Sequence, residues 1–332
     1  MDILALAFMQ RALIAALLSG VMSPAVGTYV VQRRLSLLGD GLGHVAIAGV
    51  GLALITGWAP TPVAVVICIL GAAAIELLRQ SGRASGDVGL AILFYGGLAT
   101  GVLFAGISGR GTGVLSQYLF GSLTTVSQSD LIIVAVMAAL VLIPAIGLAP
   151  QLFAVCTDEE FARVQGLPVR ILNMTIVITA AATVAVSMRT VGLLLVSALM
   201  VVPVAAANNL VVGFHRAHRT AMAMGLVISF AGVIVSYYWN TAPGATIVVL
   251  AILCFAASWP LGTWLQRRRR QMLPSGANLL TSEAPEAAHV LAEPHTSMAE
   301  AHQHPAMLHG DHVDYLHDGH HHAPHGDHFD EH

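Results

Sequence analysis

Apolar residues come in long runs of about 20, separated by short stretches carrying arginine, glycine, proline or acids. Nine runs stand out, at 10–31, 36–57, 61–78, 87–107, 131–153, 171–188, 191–212, 221–238 and 245–265. A helix of ~20 residues crosses the ~30 Å hydrocarbon layer of a bilayer. The pattern therefore predicts an all-α integral membrane protein, a polytopic bundle with eight or nine transmembrane helices. Eight would result if the first or fifth run stops short, and the N-terminus would then lie inside. The interval 108–130 is too polar for a clean span and reads as a re-entrant or interfacial helix. Beyond residue 270 the pattern ends, which divides the chain into a transmembrane domain, 1–270, and a tail, 271–332.

The punctuation adds detail. Between the fifth and sixth runs, 154–170 carries a dense group of charges. Thr157 or Asp158 can cap a short helix there, Gly166 suits its end, and Pro168 blocks continuation. Asp87 and Asp130 each follow serines and read as helix starts. Glu76 has Arg79 three residues on, a natural partner on one helix face. Pro203 predicts a kink, and Asn208-Asn209 read as capping or interhelical polar groups. His215 and His218, flanking Arg216, read as solvated or lipid-facing basic residues.

Arginine placement orients the bundle. With the N-terminus outside, Arg33, Arg34, Arg79, Arg83, Arg163, Arg170, Arg216, Arg219 and Arg267 to Arg270 fall on inner loops, twelve of the fifteen cations. That bias is the positive-inside rule. It places the 154–170 loop and the tail in the cytoplasm.

Composition narrows the function. Charged residues make up 10% and hydrophobic ones 56%, against about 25% charged in soluble domains. Every cation is an arginine. Without lysine there is no phosphate-binding G-x-x-x-x-G-K-[ST] loop, so any ATP used is bound by another polypeptide. Cys68, Cys156 and Cys254 are too scattered for a thiolate site. The N-terminus lacks a cleavable signal pattern, and nothing points to nucleic acid or to covalent catalysis.

The chemistry concentrates in the second run. Asp40 and His44 lie four residues apart, one turn above each other on one helix face. Ionisable groups at membrane depth are expensive and usually line a path or an interior. An oxygen and a nitrogen at that spacing are half of a transition-metal site. The competing reading is a structural hydrogen-bonded pair. Two chains related by a two-fold axis would supply four ligands, a set suited to zinc and tolerant of manganese or iron(II). The orientation places His44 near mid-depth, with Asp40 one turn closer to the cytoplasm.

The tail is polar and low in complexity, and such a segment is expected to be disordered. Thirteen of the sixteen histidines lie after residue 285. His309-Gly310-Asp311-His312 recurs as His325-Gly326-Asp327-His328, with His320, His321 and His322 between. Histidine and aspartate at such spacing favour zinc over manganese. They make His309, Asp311, His312, His320, His321, His322, His325, Asp327 and His328 candidate ligands of a buffer or sensor.

Three ordered motifs carry a resemblance. They are R-R-L-S-L-L-G-D-x-L-x-H at 33–44, E-F-A-R-x-x-G-L-P-V-R-x-L-N at 160–173, and the proline-containing segment at 189–207 that starts R-x-V-G-x-L-L-V. Over about residues 8–265 the chain resembles the membrane permease of bacterial zinc/manganese/iron uptake ABC transporters. The resemblance implies a paired, expected homodimeric permease, a cytoplasmic ATPase that binds the ATP, and an extracytoplasmic metal-binding protein. It implies that Asp40 and His44 coordinate the transported ion, with no permanently bound cofactor. It also implies that the 158–166 helix, with Asp158, Glu159, Glu160, Ala162 and Gly166, couples to the ATPase. Gly41 and Gly43 stand where the family often has alanine and serine. The alternative is an ion-gradient-driven divalent metal transporter with a histidine-rich cytosolic tail.

Overall fold

The computed structural model describes residues 7–82, 86–109, 111–121, 126–272 and, in the tail, 306–309, 312–317, 320–325 and 328–331. Up to residue 272 the described chain is helical. The helices are α1 (Ala7–Gln32), α2 (Leu38–Thr56), α3 (Pro60–Gln80), α4 (Gly86–Ile107), α5 (Gly111–Phe120), α6 (Gln128–Gly147), α7 (Ala149–Thr157), α8 (Glu159–Val164), α9 (Val169–Val191), α10 (Leu193–Leu210), α11 (Phe214–Trp239) and α12 (Pro243–Met272). Eight of these are long and apolar enough to cross a bilayer, and α10 contains a shorter apolar stretch, Leu195–Leu210. Among the described residues the count is therefore eight, and the run that falls short is the seventh, in α10, not the first or fifth. The 108–130 interval holds the ten-residue α5, too short to span.

Several run boundaries move. The fifth run breaks at Leu148: α6 ends at Gly147 and Pro150 opens the separate helix α7. The eighth begins earlier, because α11 starts at Phe214. His218 therefore sits one turn inside a helix. It is buried, with its ring 5.6 Å from Tyr29 and 5.7 Å from Phe214. The reading of His218 as solvated or lipid-facing is corrected on that account, while His215 is exposed.

The bundle has a centre and a shell. Burial reaches 72% of the most apolar window in α1, α2 and α9, but only 22% in α4 and 28% in α3, α6 and α12. The shell helices turn apolar side chains outward. On α6, Ile132, Val136, Leu140 and Ile143 form an exposed stripe at helical spacing. In water such a stripe would be unstable, whereas in lipid it is the required surface.

In the tail, four short strands form an antiparallel sheet in sequence order: β1 (Ala306–His309), β2 (His312–His317), β3 (His320–His325) and β4 (His328–Glu331). Gly310-Asp311, Asp318-Gly319 and Gly326-Asp327 separate the strands, dipeptides that favour two-residue hairpins. Their own structure, and that of 273–305, lies outside the described residues.

Candidate functional site

The site is built on α2. No proline interrupts its 19 residues, and Gly57, at φ +73°, ends it in the left-handed conformation that glycine adopts without strain. Asp40 lies in the first turn, where the helix dipole favours a carboxylate. Between Leu38 and Gly51 every residue is buried except Asp40 and His44, which remain partly open. The sequence placed both on one face, and the packing leaves that face as the only polar opening along this stretch. His44 is six residues from the helix start, about 9 Å along the axis, a little to the Arg33 side of the middle of α2.

Close packing around His44 depends on glycine. A Cβ at Gly97 of α4 would lie 2.5 Å from the Val45 nitrogen and 2.6 Å from the His44 carbonyl carbon. A Cβ at Gly43 would strike Leu193 at the start of α10. The His44 ring meets Phe94 edge-on, with centroids 4.3 Å apart. Its Nδ1 is buried without a hydrogen-bond partner. An orphaned imidazole nitrogen four residues from a carboxylate makes His44 a candidate ligand. Among the described residues no cluster of three or more His, Cys, Asp or Glu could hold a metal.

A second constellation lies at the Arg33 end. Asp158 caps α8, its Oδ1 accepting from the Glu160 and Phe161 nitrogens at 2.9 Å each. Glu159, the next residue, turns inward. Its Oε1 accepts from Arg33 Nη2 at 2.9 Å and Asn173 Nδ2 at 3.1 Å, with Arg79 Nη2 at 3.5 Å. Arg79 is held in a two-pronged pair by Glu76, at 2.9 and 2.8 Å, and Gln80 donates to the same carboxylate at 2.9 Å. One carboxylate thus joins α8 to the ends of α1, α3 and α9. Beside it, burial pushes the Cys156 thiol up to about 12, although nearby Arg33 acts in the opposite direction. Ala162 is fully buried, and Gly166 adopts φ +79° just after the helix. Glu160 faces outward with Phe161 and Val164, which are 58% and 85% exposed. These two apolar residues were missed in the sequence, since nothing in one short helix says which side faces out.

At the opposite end of α3 and α9, buried Asp130 accepts from Arg189 Nη1 at 2.6 Å, and the same nitrogen donates to Thr61 at 3.4 Å. Asp130 also closes a capping box with Ser127, confirming the helix start. Burial raises the Tyr118 phenol nearby. Asn209 Nδ2 donates to Ser258 at 3.0 Å, the interhelical role expected for it. The side chains of Asp87 and of every candidate ligand in the tail lie outside the described residues.

Comparison with known proteins fits this arrangement. Residues 5–261 match the ABC 3 transport family. The chain is 30% identical over 260 residues to the manganese transport system membrane protein MntC of Halalkalibacterium halodurans, covering 78% of this chain and 88% of the relative. It is 29% identical over 258 residues to the high-affinity zinc uptake system membrane protein ZnuB of Haemophilus influenzae, covering 75% and 97%. The solved structure of PsaBC from Streptococcus pneumoniae in complex with Fab superposes with a TM-score of 0.71 at 26% identity, covering 80% of this chain and 97% of that one.

Proposed function

The chain belongs to the ABC 3 transport family, and we propose that it is the membrane permease of an ATP-driven importer of divalent transition-metal ions, with zinc as the preferred cargo. Asp40 and His44 form half of the translocation site, and a second copy supplies the other half. The observation that carries this is the opening on α2: along Leu38–Gly51 only those two side chains escape burial. Two carboxylate oxygens and two imidazole nitrogens suit a four-coordinate zinc ion and tolerate manganese or iron(II). Such a set also lacks the thiolates that would hold the ion too tightly to release.

The rest follows from the ends of the bundle. The face of α8 formed by Glu160, Phe161 and Val164 docks on a cytoplasmic ATPase, and an extracytoplasmic metal-binding protein delivers the ion. Alternating access then reorients the helices around Asp40 and His44. The relatives named for zinc and for manganese support metal as the cargo. A gradient-driven transporter would need free intramembrane acids. Here Glu76 is taken by Arg79 and Asp130 by Arg189, so the alternative finds no support.

The test is uptake of zinc and manganese by the permease reconstituted with its ATPase and binding protein. Wild type should take up zinc only with ATP. The Asp40→Ala/His44→Ala variant should assemble, reach the membrane and transport nothing. Normal uptake by the assembled variant would leave the pair a structural one and defeat the reading.

A further inference from the structure

We propose that the cleft between the ends of α1, α3 and α7 is a binding site for a phosphate group, either the phosphodiester of an anionic lipid headgroup or a free phosphate. Such a site does not depend on which ion the bundle carries, or on Asp40 and His44.

The cleft has a volume of about 450 Å³, within the range of small-ligand pockets. Arg33, Arg34, Arg79 and Glu159 line it, and the last residues of α7 form its other wall. Positive charge is in excess there. Arg33 and Arg79 converge on a single oxygen, Glu159 Oε1, at 2.9 and 3.5 Å, and Asn173 donates to the same atom. Glu76 pairs with Arg79 as well. The ion pairs among the described residues leave out Arg34, so three guanidiniums meet two carboxylates and one positive charge is left over. Arg33 is also short of an acceptor. Its side chain is 6% exposed, and its Nη1 is buried with no hydrogen-bond partner in the chain. Buried donors are rarely left so, and charged ones are the most costly. A phosphate oxygen entering beside Arg33 gives that nitrogen the acceptor it lacks.

Arg34 adds a second observation. It sits at φ +59°, the left-handed region that a β-carbon disfavours. Glycine would be the unstrained residue there, yet the chain holds an exposed arginine at the cleft. Strain of that kind collects at ligand sites, and the arginine fork matches the oxygens of a phosphate. The level suits a lipid. Arg79 is in the last turn of α3, and Arg33 and Arg34 follow α1 directly. The cleft therefore opens at a membrane surface, the cytoplasmic one by the arginine bias, where anionic headgroups concentrate. Two residues before Arg79, Leu77 is 57% exposed and offers apolar surface to an acyl chain. A phosphodiester carries one negative charge, which closes the balance of the cleft, whereas a phosphate monoester carries about 1.5 to 2 near pH 7.

The experiment uses the full chain, purified in detergent and stripped of native lipid. Phosphatidylglycerol, zwitterionic phosphatidylcholine and inorganic phosphate are added separately at constant ionic strength. Lipid retained per chain is counted after gel filtration, and the melting temperature is read with each probe. Arg34→Gly removes the unpaired charge and suits the left-handed backbone, so in plain detergent it should melt no lower than wild type. Wild type should retain phosphatidylglycerol in preference to phosphatidylcholine and melt higher with it. Arg34→Gly should retain about fivefold less phosphatidylglycerol. Arg216→Gln, at an exposed arginine on α11, should retain the wild-type amount. If inorganic phosphate raises the melting temperature of wild type but not of Arg34→Gly, and displaces phosphatidylglycerol, the site stands and its ligand is a free phosphate. Equal retention by Arg34→Gly and wild type, equal loss in Arg216→Gln, or no preference for either anion over phosphatidylcholine would overturn the site. None of these readouts involves transport, so failure here leaves the proposed function untouched.

Discussion

A methyl group decides whether helices can meet at His44. Gly97 has backbone in the way of any Cβ, whereas its neighbour Gly96 has nothing within 4 Å. Gly97→Ala should therefore cost about 1–3 kcal/mol through overpacking, read as a lower melting temperature of the purified protein, and Gly96→Ala should melt like wild type. Gly43→Ser should fall between, because the atom it meets is the tip of Leu193, which can move more easily than backbone. Cys156 offers a chemical check on burial at the Arg33 end. With its thiol pushed up to about 12, it stays protonated at pH 8, and the thiolate is the reactive form. In a chain whose other cysteines are replaced by alanine, maleimide should label it roughly a thousandfold more slowly than an ordinary thiol, with the rate still rising above pH 9. Fast labelling at pH 8 would mean the thiol is far more open than it stands here.

Among the helices, α8 has the most to tell. Its first residue, Glu159, ties it to Arg33, Arg79 and Asn173, while Phe161 and Val164 face away from the bundle. An outer push on α8 is therefore transmitted through one carboxylate to the ends of α1, α3 and α9. Arg33 in turn leads directly into α2 and Asp40. Glu159→Gln keeps the shape but removes the charge from a site where Arg33 is 6% exposed. A buried charge left unpaired is costly, so the network should rearrange. The expected outcome is ATP hydrolysis near the wild-type rate with several-fold less metal imported per ATP. Phe161→Ala should instead weaken binding of the ATPase itself, measured by co-purification. If Glu159→Gln lowers co-purification and leaves the transport ratio intact, Glu159 serves docking and not transmission.

Across the whole molecule, two ionic clusters face each other along α3 and α9. Thr61 and Arg79 are 18 residues apart on α3, about 27 Å of helix, close to the ~30 Å hydrocarbon thickness. One cluster therefore lies at each membrane surface, with the apolar stripes between them in lipid. The orientation predicts that 154–170 and the tail share the cytoplasmic side. Reporter fusions at residue 272 and within 158–166 should both read cytoplasmic, and a fusion after Ile107 should read external. Deleting 286–332 should leave insertion and assembly unchanged, seen as equal yield of folded protein from the membrane. Loss of insertion would make the tail part of the bundle's folding.

Hydropathy placed nearly every membrane helix, because the bilayer imposes one local rule on each run: satisfy the backbone within the segment and turn apolar atoms outward. That rule needs no knowledge of neighbours, and the positive-inside bias, the Asp158 cap and the Asp40–His44 spacing are similarly local. What the chain could not announce depends on contacts between distant segments. Glu159 and Arg33 are 126 residues apart, and Asp130 and Arg189 are 59 apart. The buried place of His218, the outward face of α8 and the need for glycine at 43 and 97 are likewise set by which helices become neighbours. The tail shows the same division in small: its turn dipeptides were legible, but read as ligand repeats. Pairing the strands is what sets His309 opposite His312 and His325 opposite His328, because register and not sequence order decides which residues are opposed.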